Sequence, residues 1–249
     1  MKIIVCVRRV PDTATKVKIA SDGKTIDPSG VEYAINPYEE YAVEEAARLK
    51  EKHGGEATMI MLTPSDAPTL IVKTLALGLD KAIHLKVEQL PPDPLVTAKA
   101  LAAEIKNHPF DILLFGKKGV DDEQQQVGPM VAELLDIPCI TQVVKIEISN
   151  GKCIAQREVE GGQQVVEASL PVALTAEKDL NVPRYASLKD LLAARKKPIE
   201  IKEPTLTGPS MEIAELKYPQ ERKVGRIVGK GVEAIPELVR LLREEAQVI

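Results

Sequence analysis

The sequence predicts an α/β protein with a doubly wound, mostly parallel sheet, and three observations carry that expectation. Short β-branched runs alternate with helix-period segments through the first half of the chain. Strand-like segments around Asn150-Gly151 then add an antiparallel hairpin extension. A Pro- and Gly-rich stretch ending in an amphipathic segment forms a C-terminal arm.

Taken in order, Ile3–Val7 is a continuous apolar run, as in a strand buried on both faces of a parallel sheet. Asn36-Pro37 opens a helix, with Asn at the cap and Pro in the first turn. Tyr38, Tyr41, Ala42, Ala46 and Leu49 share one face, and Gly54-Gly55 ends it. Ala57–Leu62 is a second strand, followed by a turn at Thr63–Asp66 and a helix bearing Leu70, Ile71, Thr74, Leu75 and Leu77. Lys81–Leu85 and Asp111–Phe115 are further strands on either side of a helix over Pro94–Lys106. A polar loop, Gly116–Glu123, leads into a helix near Gln124–Leu135.

The pattern then changes to extended runs at Thr141–Ile148, Lys152–Val159, Val165–Leu170 and Pro171–Ala176. A short helix, Ser187–Arg195, precedes an irregular stretch over Glu200–Gly231 and a final helix near Glu233–Ala246. The expected division is a nucleotide-binding α/β domain over 1–195 and an arm over 196–249. Ile235, Leu238, Leu241 and Leu242 give the last helix an apolar stripe, which either folds back on the core or embraces another subunit.

Composition narrows the function classes. A formal net charge of -4 gives no basic surface for nucleic acid, and the chain has no Trp and only two Phe to stack on bases. Cys6, Cys139 and Cys153 are odd in number and widely spaced, so neither a disulfide framework nor a zinc site is indicated. No window approaches the ~20 apolar residues of a membrane span. These features predict a soluble intracellular protein, of a prokaryotic cytoplasm or an organelle matrix. His53, His84 and His108 suggest no catalytic constellation, and Asp121-Asp122 is weak evidence for a cation.

In open α/β sheets ligands bind beyond the carboxyl ends of the strands. The loops Arg8–Lys16, Asn36–Glu39, Leu62–Ser65 and Gly116–Gly128 qualify. The last lacks the P-loop and dinucleotide fingerprints. It could present helix-start amides to a phosphate, or it could be a polar loop whose Asp121, Asp122 and Glu123 only cap the helix.

The chain resembles the β subunit of electron-transfer flavoproteins over nearly its whole length. The resemblance rests on Val5–Asp12, Asn36–Ala46, Gly116–Gly128 and the stretch from Arg157-Glu158-Val159-Glu160-Gly161-Gly162-Gln163 through Leu170–Ala176 into Asn181–Leu188. It implies an adenine-nucleotide α-hydrolase-like fold and a heterodimer with an α subunit that carries most of a shared FAD. It also implies a second nucleotide in this chain, AMP in the common members and a second FAD in electron-bifurcating ones. By position that site comprises Cys6, Asn36, Pro37, Tyr38, Glu39, Leu62, Gly116, Lys117, Lys118, Gly119, Val120, Asp121, Asp122, Glu123, Gln124, Gln125, Gln126 and Val127, with Thr13 near the shared flavin. Asp122-Glu123 is similar to the AMP-holding form and Gln126-Val127-Gly128-Pro129 to the bifurcating one.

Leu188 falls where the family anchors partner dehydrogenases, within a surface running from Tyr185 to Arg195. Glu158 matches a carboxylate that steadies the flavin-bearing domain of the α subunit. The implied role is an electron carrier between flavoprotein dehydrogenases and an acceptor such as a quinone oxidoreductase, not an enzyme. A stand-alone adenine-nucleotide enzyme or sensor is the other reading of the bare loop.

Overall fold

The structure, a computed structural model, describes residues 1–220 and 225–249. Apolar strands from both halves of the chain meet in one sheet. β1 (Lys2–Cys6) is followed by a small antiparallel pair, β2 (Arg9–Pro11) and β3 (Tyr33–Ile35). α1 (Pro37–His53) begins on a proline, with Glu39 and Glu40 in its first turn and Lys50, Lys52 and His53 in its last. Those charges oppose the helix dipole at both ends. Its end is Gly54, at φ 69°, a conformation few other residues adopt cheaply.

β4 (Glu56–Thr63), α2 (Pro68–Leu75), β5 (Lys81–Lys86), α3 (Pro94–Ile105), β6 (Ile112–Gly116) and α4 (Val127–Leu134) continue the alternation. β7 (Cys139–Ser149), β8 (Lys152–Val159) and β9 (Gly162–Ser169) form the antiparallel extension, and β10 (Val172–Ala176) returns to the core. α5 (Leu188–Ala194) and β11 (Ile199–Lys202) follow.

The nine-stranded sheet runs β11-β5-β4-β1-β6-β10-β7-β8-β9. Pairing is parallel from β11 to β7 and antiparallel from β7 through β8 to β9. Strand side chains alternate between two cores. Ile3, Val5, Met59, Met61, Ile112 and Leu114 pack with Ala42, Val43 and Ala46 of α1, Ile71 and Leu75 of α2, and Ala194 of α5. Ile4, Cys6, Ile60, Leu62, Leu113 and Phe115 pack on the other face with Leu101 and Ile105 of α3 and Val131 of α4. Helices on both faces make the sheet doubly wound, as the sequence predicts.

Three local readings change. α4 starts at Val127 instead of Gln124, because Glu123 and Gln125 take left-handed φ values of 52° and 55° and stop the helix from beginning earlier. Ile199–Lys202, of which Glu200–Lys202 reads in sequence as the start of the irregular stretch, is a parallel strand on the sheet edge beside β5. Four residues with alternating charge give too short a signal to stand out from a loop. The polar stretch after β1 likewise contains β2 and β3.

Contacts divide the chain into compact units over Met1–Glu215 and Leu216–Ile249. Within the first, Asp93 caps α3 by accepting from Leu95 N–H at 2.8 Å and also accepts from Ser210 N–H at 2.6 Å. The second contains a short 3₁₀ turn at Val232–Ala234 and α6 (Ile235–Glu244), whose Ile235, Leu238 and Val239 are exposed. The stretch read as irregular includes 221–224, which lie outside the described residues. Among the described residues no helix is long and apolar enough to cross a membrane.

Burial predicts contrasting effects on two strands. Ile60 is fully buried in β4, so Ile60→Ala is expected to lower stability by about 2–5 kcal/mol in urea unfolding. Ile201 is 64% exposed on β11, and Ile201→Ala is expected to change it by no more than about 0.5 kcal/mol. Equal losses at the two positions would contradict the edge placement of β11.

Candidate functional site

The order of strands reverses at β1. The chain moves from β1 through α1 to β4 on one side, then crosses from β5 through α3 to β6 on the other. A cleft opens above this reversal, where ligands of open α/β sheets collect. Its empty volume, open solvent included, is about 860 Å³. Cys6, Val7 and Arg8 at the end of β1, Phe115 and Gly116 at the end of β6, and Gln124–Gly128 line it, facing Leu90, Pro91 and Pro92.

The cleft is framed by a buried clasp. Asn36 is completely buried, and its Nδ2 donates to the Lys118 carbonyl at 2.7 Å and to the Glu39 carboxyl group. Its Oδ1 accepts from Val120 N–H at 2.9 Å. The expected cap is therefore only partly realised. Asn36 occupies the cap position of α1 but makes no side-chain capping bond, because its side chain spans to the loop after β6 instead. Two chain segments more than eighty residues apart are fixed by one amide.

Glu39 lies directly under this loop. Burial pushes its carboxyl group up to about 8, against the opposing effects of Asn36 and Arg8. A Cβ on Gly116 would lie 2.7 Å from the Glu39 carboxyl carbon, so the loop can pass here only as glycine. At Gly119 a Cβ would lie 2.4 Å from Asp121 Oδ1, so a larger residue there would have to displace the carboxylates that pair with Arg8.

Each cation on the cleft wall has an acidic partner. The Arg8 guanidinium reaches Asp121 at 2.8 Å and Asp122 at 2.7 Å. Burial disfavours its charge, but the two carboxylates outweigh burial and hold it above the usual arginine range. Lys118 pairs with Glu123 at 2.7 Å and Lys117 with buried Glu177. Asp121 and Asp122 thus serve Arg8. Among the described residues no group of three or more His, Cys, Asp or Glu could hold a metal ion.

With its cations paired, what this wall could offer an anion is backbone N–H groups. The first-turn amides of α4 have no partners within the helix, and Val127 and Gly128 of that turn line the cleft. Gly128 lets the turn approach β10, for its Cβ would lie 2.9 Å from Thr175 Cγ2. Cys6 forms part of the apolar floor, where burial pushes its thiol far up and keeps it protonated.

The structure gathers most of the residues singled out from sequence. Cys6, Glu39, Leu62, Gly116, Lys117, Lys118, Gly119, Asp122, Gln124, Gln125, Gln126 and Val127 line the cleft. Asn36, Val120, Asp121 and Glu123 brace the wall by hydrogen bonds or ion pairs, Tyr38 lies under the Lys117 ammonium at 6.0 Å, and Pro37 opens α1. Thr13 is exposed on the loop after β2 and does not line the cleft. Leu188, Tyr185 and Arg195 are exposed at α5 and Glu158 is half-buried in β8, all outside the cleft wall. Arg8 opens the candidate loop Arg8–Lys16 but is not among the site residues expected from sequence, and sequence reasoning missed Leu90, Pro91, Pro92, Pro94, Thr97 and Leu101 altogether. The strand-end rule could have found Leu90, Pro91 and Pro92 in the loop after β5, whereas Pro94, Thr97 and Leu101 belong to α3.

Two outcomes follow from the clasp. Asn36→Ala leaves the Lys118 carbonyl and Val120 N–H without partners, and is expected to cost about 1–3 kcal/mol of stability. It should also speed hydrogen exchange at Val120, and unchanged exchange there would contradict the bracing role. The Glu39 carboxyl, ordinarily near 4.5, stays protonated in the folded chain to about 8. The folded chain therefore binds more protons than the unfolded one across that window, and ligand-free stability falls as pH rises from about 4.5 to about 8. Glu39→Gln should flatten this part of the pH–stability profile, whereas parallel profiles would contradict the assignment.

Comparison with known proteins fits the same residues into one family. A family model for the electron transfer flavoprotein domain matches residues 23–207. The electron transfer flavoprotein subunit beta of Bacillus subtilis is 39% identical over 259 residues, covering 100% of both chains. The subunit of that name in Thermoanaerobacterium thermosaccharolyticum is 38% identical over 255 residues, 97% of this chain and 98% of its own length. The one in Homo sapiens is 34% identical over 248 residues, 98% of this chain and 97% of its own. With its whole length matched at these identities, the chain belongs to the electron transfer flavoprotein β-subunit family.

Proposed function

We propose that the chain is the β subunit of a heterodimeric electron carrier, holds AMP in the cleft, and joins an α subunit in enclosing FAD. The observation that carries this reading is the glycine-shaped cleft beneath Gly116–Gly128, at the sheet's switch point, in a chain of this family. A phosphate would rest on the first-turn amides of α4, where Val127 and Gly128 line the cleft. The adenosine would lie toward Cys6, Leu62 and the apolar wall of Leu90, Pro91 and Pro92.

The flavin supplies the electron-transfer chemistry when bound, and the protein positions and shields it. In this reading Thr13 faces the shared flavin from the loop after β2. Glu158 steadies the flavin-bearing domain of the α subunit. Electrons arrive from flavoprotein dehydrogenases that dock on Tyr185, Leu188 and Arg195, and leave for an acceptor such as a quinone oxidoreductase. Tyr185 and Leu188 are 100% and 74% exposed, as docking side chains must be. The site of action is the prokaryotic cytoplasm.

AMP is favoured over a second FAD by the clasp of Arg8 with Asp121 and Asp122, which closes the loop after β6 against the end of β1. The uncharged surface of Leu90, Pro91 and Pro92 favours the second FAD of a bifurcating complex.

Denaturing the purified two-subunit complex and identifying the released nucleotides separates these readings. The proposal expects AMP equimolar with FAD, whereas FAD in twofold amount and no AMP would overturn it. Leu188→Ala is expected to slow reduction of the complex by dehydrogenases while changing stability by no more than about 0.5 kcal/mol. A large loss of stability would show instead that Leu188 is a packing residue.

A further inference from the structure

Between β10 and α5 the chain displays apolar surface on a tightly held frame. Val182, Tyr185, Leu188 and Leu192 are 78%, 100%, 74% and 53% exposed. A mobile segment carrying such side chains would gain by burying them against the core. This one is fastened at both ends.

Before α5, Asn181 Nδ2 donates to the Tyr41 carbonyl at 2.9 Å and to Glu45 at 3.0 Å. Arg184 then lies across α1. Its Nε and backbone N–H donate to Glu44 Oε2 at 2.8 and 3.1 Å, and its terminal nitrogens reach Glu51 at 2.5 and 3.1 Å. The Glu44 side chain is only 4% exposed and also accepts from Arg48 at 2.7 Å. Forked guanidinium–carboxylate pairing fixes orientation as well as distance.

Ser187 and Asp190 close a reciprocal capping box at the start of α5. Beyond α5, Lys197 Nζ donates to the Leu75 and Leu79 carbonyls at 2.9 and 2.5 Å, and Ala194 is fully buried. The helix is thus fixed to α1 before it begins and to the end of α2 after it ends, with Leu188 directed outward.

We infer that Arg184 is a positioning residue for partner docking: its fork across Glu44 and Glu51 presets α5 so that Leu188 meets a dehydrogenase already in place. This rests on the reading of α5 as the docking helix. A preset surface loses little conformational freedom on binding, so removing the fork should weaken docking although Arg184 itself touches no partner.

The test uses the intact two-subunit complex, reduced by a flavoprotein dehydrogenase in the presence of its own substrate. Leu188→Ala should raise the KM for the complex about tenfold, as a lost anchor does. Arg184→Ala should raise it about fivefold with kcat retained, the ordering of α5 then falling on each docking event. It should also speed hydrogen exchange over residues 186–194. In the double variant the KM should match that of Leu188→Ala alone, because a helix without its anchor gains nothing from being preset.

Arg184→Lys retains the charge but loses the fork and should fall between wild type and Arg184→Ala, giving a second variant if the alanine complex does not fold. An effect of Leu188→Ala with none from either Arg184 variant overturns this inference alone. No effect of Leu188→Ala overturns the docking reading, and this inference with it.

Discussion

The amide of Asn36 is the contact on which the site depends. It lies at the start of α1, yet its three bonds hold the loop after β6 and the carboxyl group of Glu39. Sheet pairing aligns β1 and β6, but it does not determine the path of the chain beyond their ends. Asn36 does so from beneath, and Arg8 does so from the side through Asp121 and Asp122. Gly116 follows as a consequence, because a Cβ there would lie 2.9 Å from the Glu39 backbone nitrogen as well as against its carboxyl group.

This bracing explains the electrostatic character of the cleft. Arg8, Lys117 and Lys118 would make a cationic wall if they were free, but each is matched by at least one carboxylate. On the proposed reading, attraction for an anion would then come from helix-start amides, which act through oriented dipoles at short range. Such a wall discriminates by fit more than by net charge. Under the proposed function it would suit a nucleotide held as a fixed part of the structure, with the redox chemistry left to a flavin.

Much of this was legible in the sequence. The alternation of apolar strands and amphipathic helices gave the doubly wound sheet, and the Asn150-Gly151 turn gave the extension. The loop Gly116–Gly128 could be placed at a strand end, but reading it as a nucleotide cradle and not a capped helix rests on its likeness to a family. What escaped depends on long-range geometry. β11 became a strand because β5 offered an edge, and its four residues carry too little pattern to show this. Arg8 joined the wall because Asp121 and Asp122 lie across the cleft, a pairing over more than a hundred residues that no local spacing encodes. The side chain of Asn36 bonds the loop in place of the first backbone amides of its own helix for the same reason.

The central claim is that the braced loop and the first turn of α4 form the seat of a nucleotide. A crystal structure of the purified two-subunit complex, solved without added nucleotide, tests it most directly. The account predicts AMP retained in the cleft, with its phosphate within hydrogen-bonding distance of the Val127 and Gly128 amides. A cleft filled by protein from the α subunit, or a nucleotide seated away from α4, would contradict it.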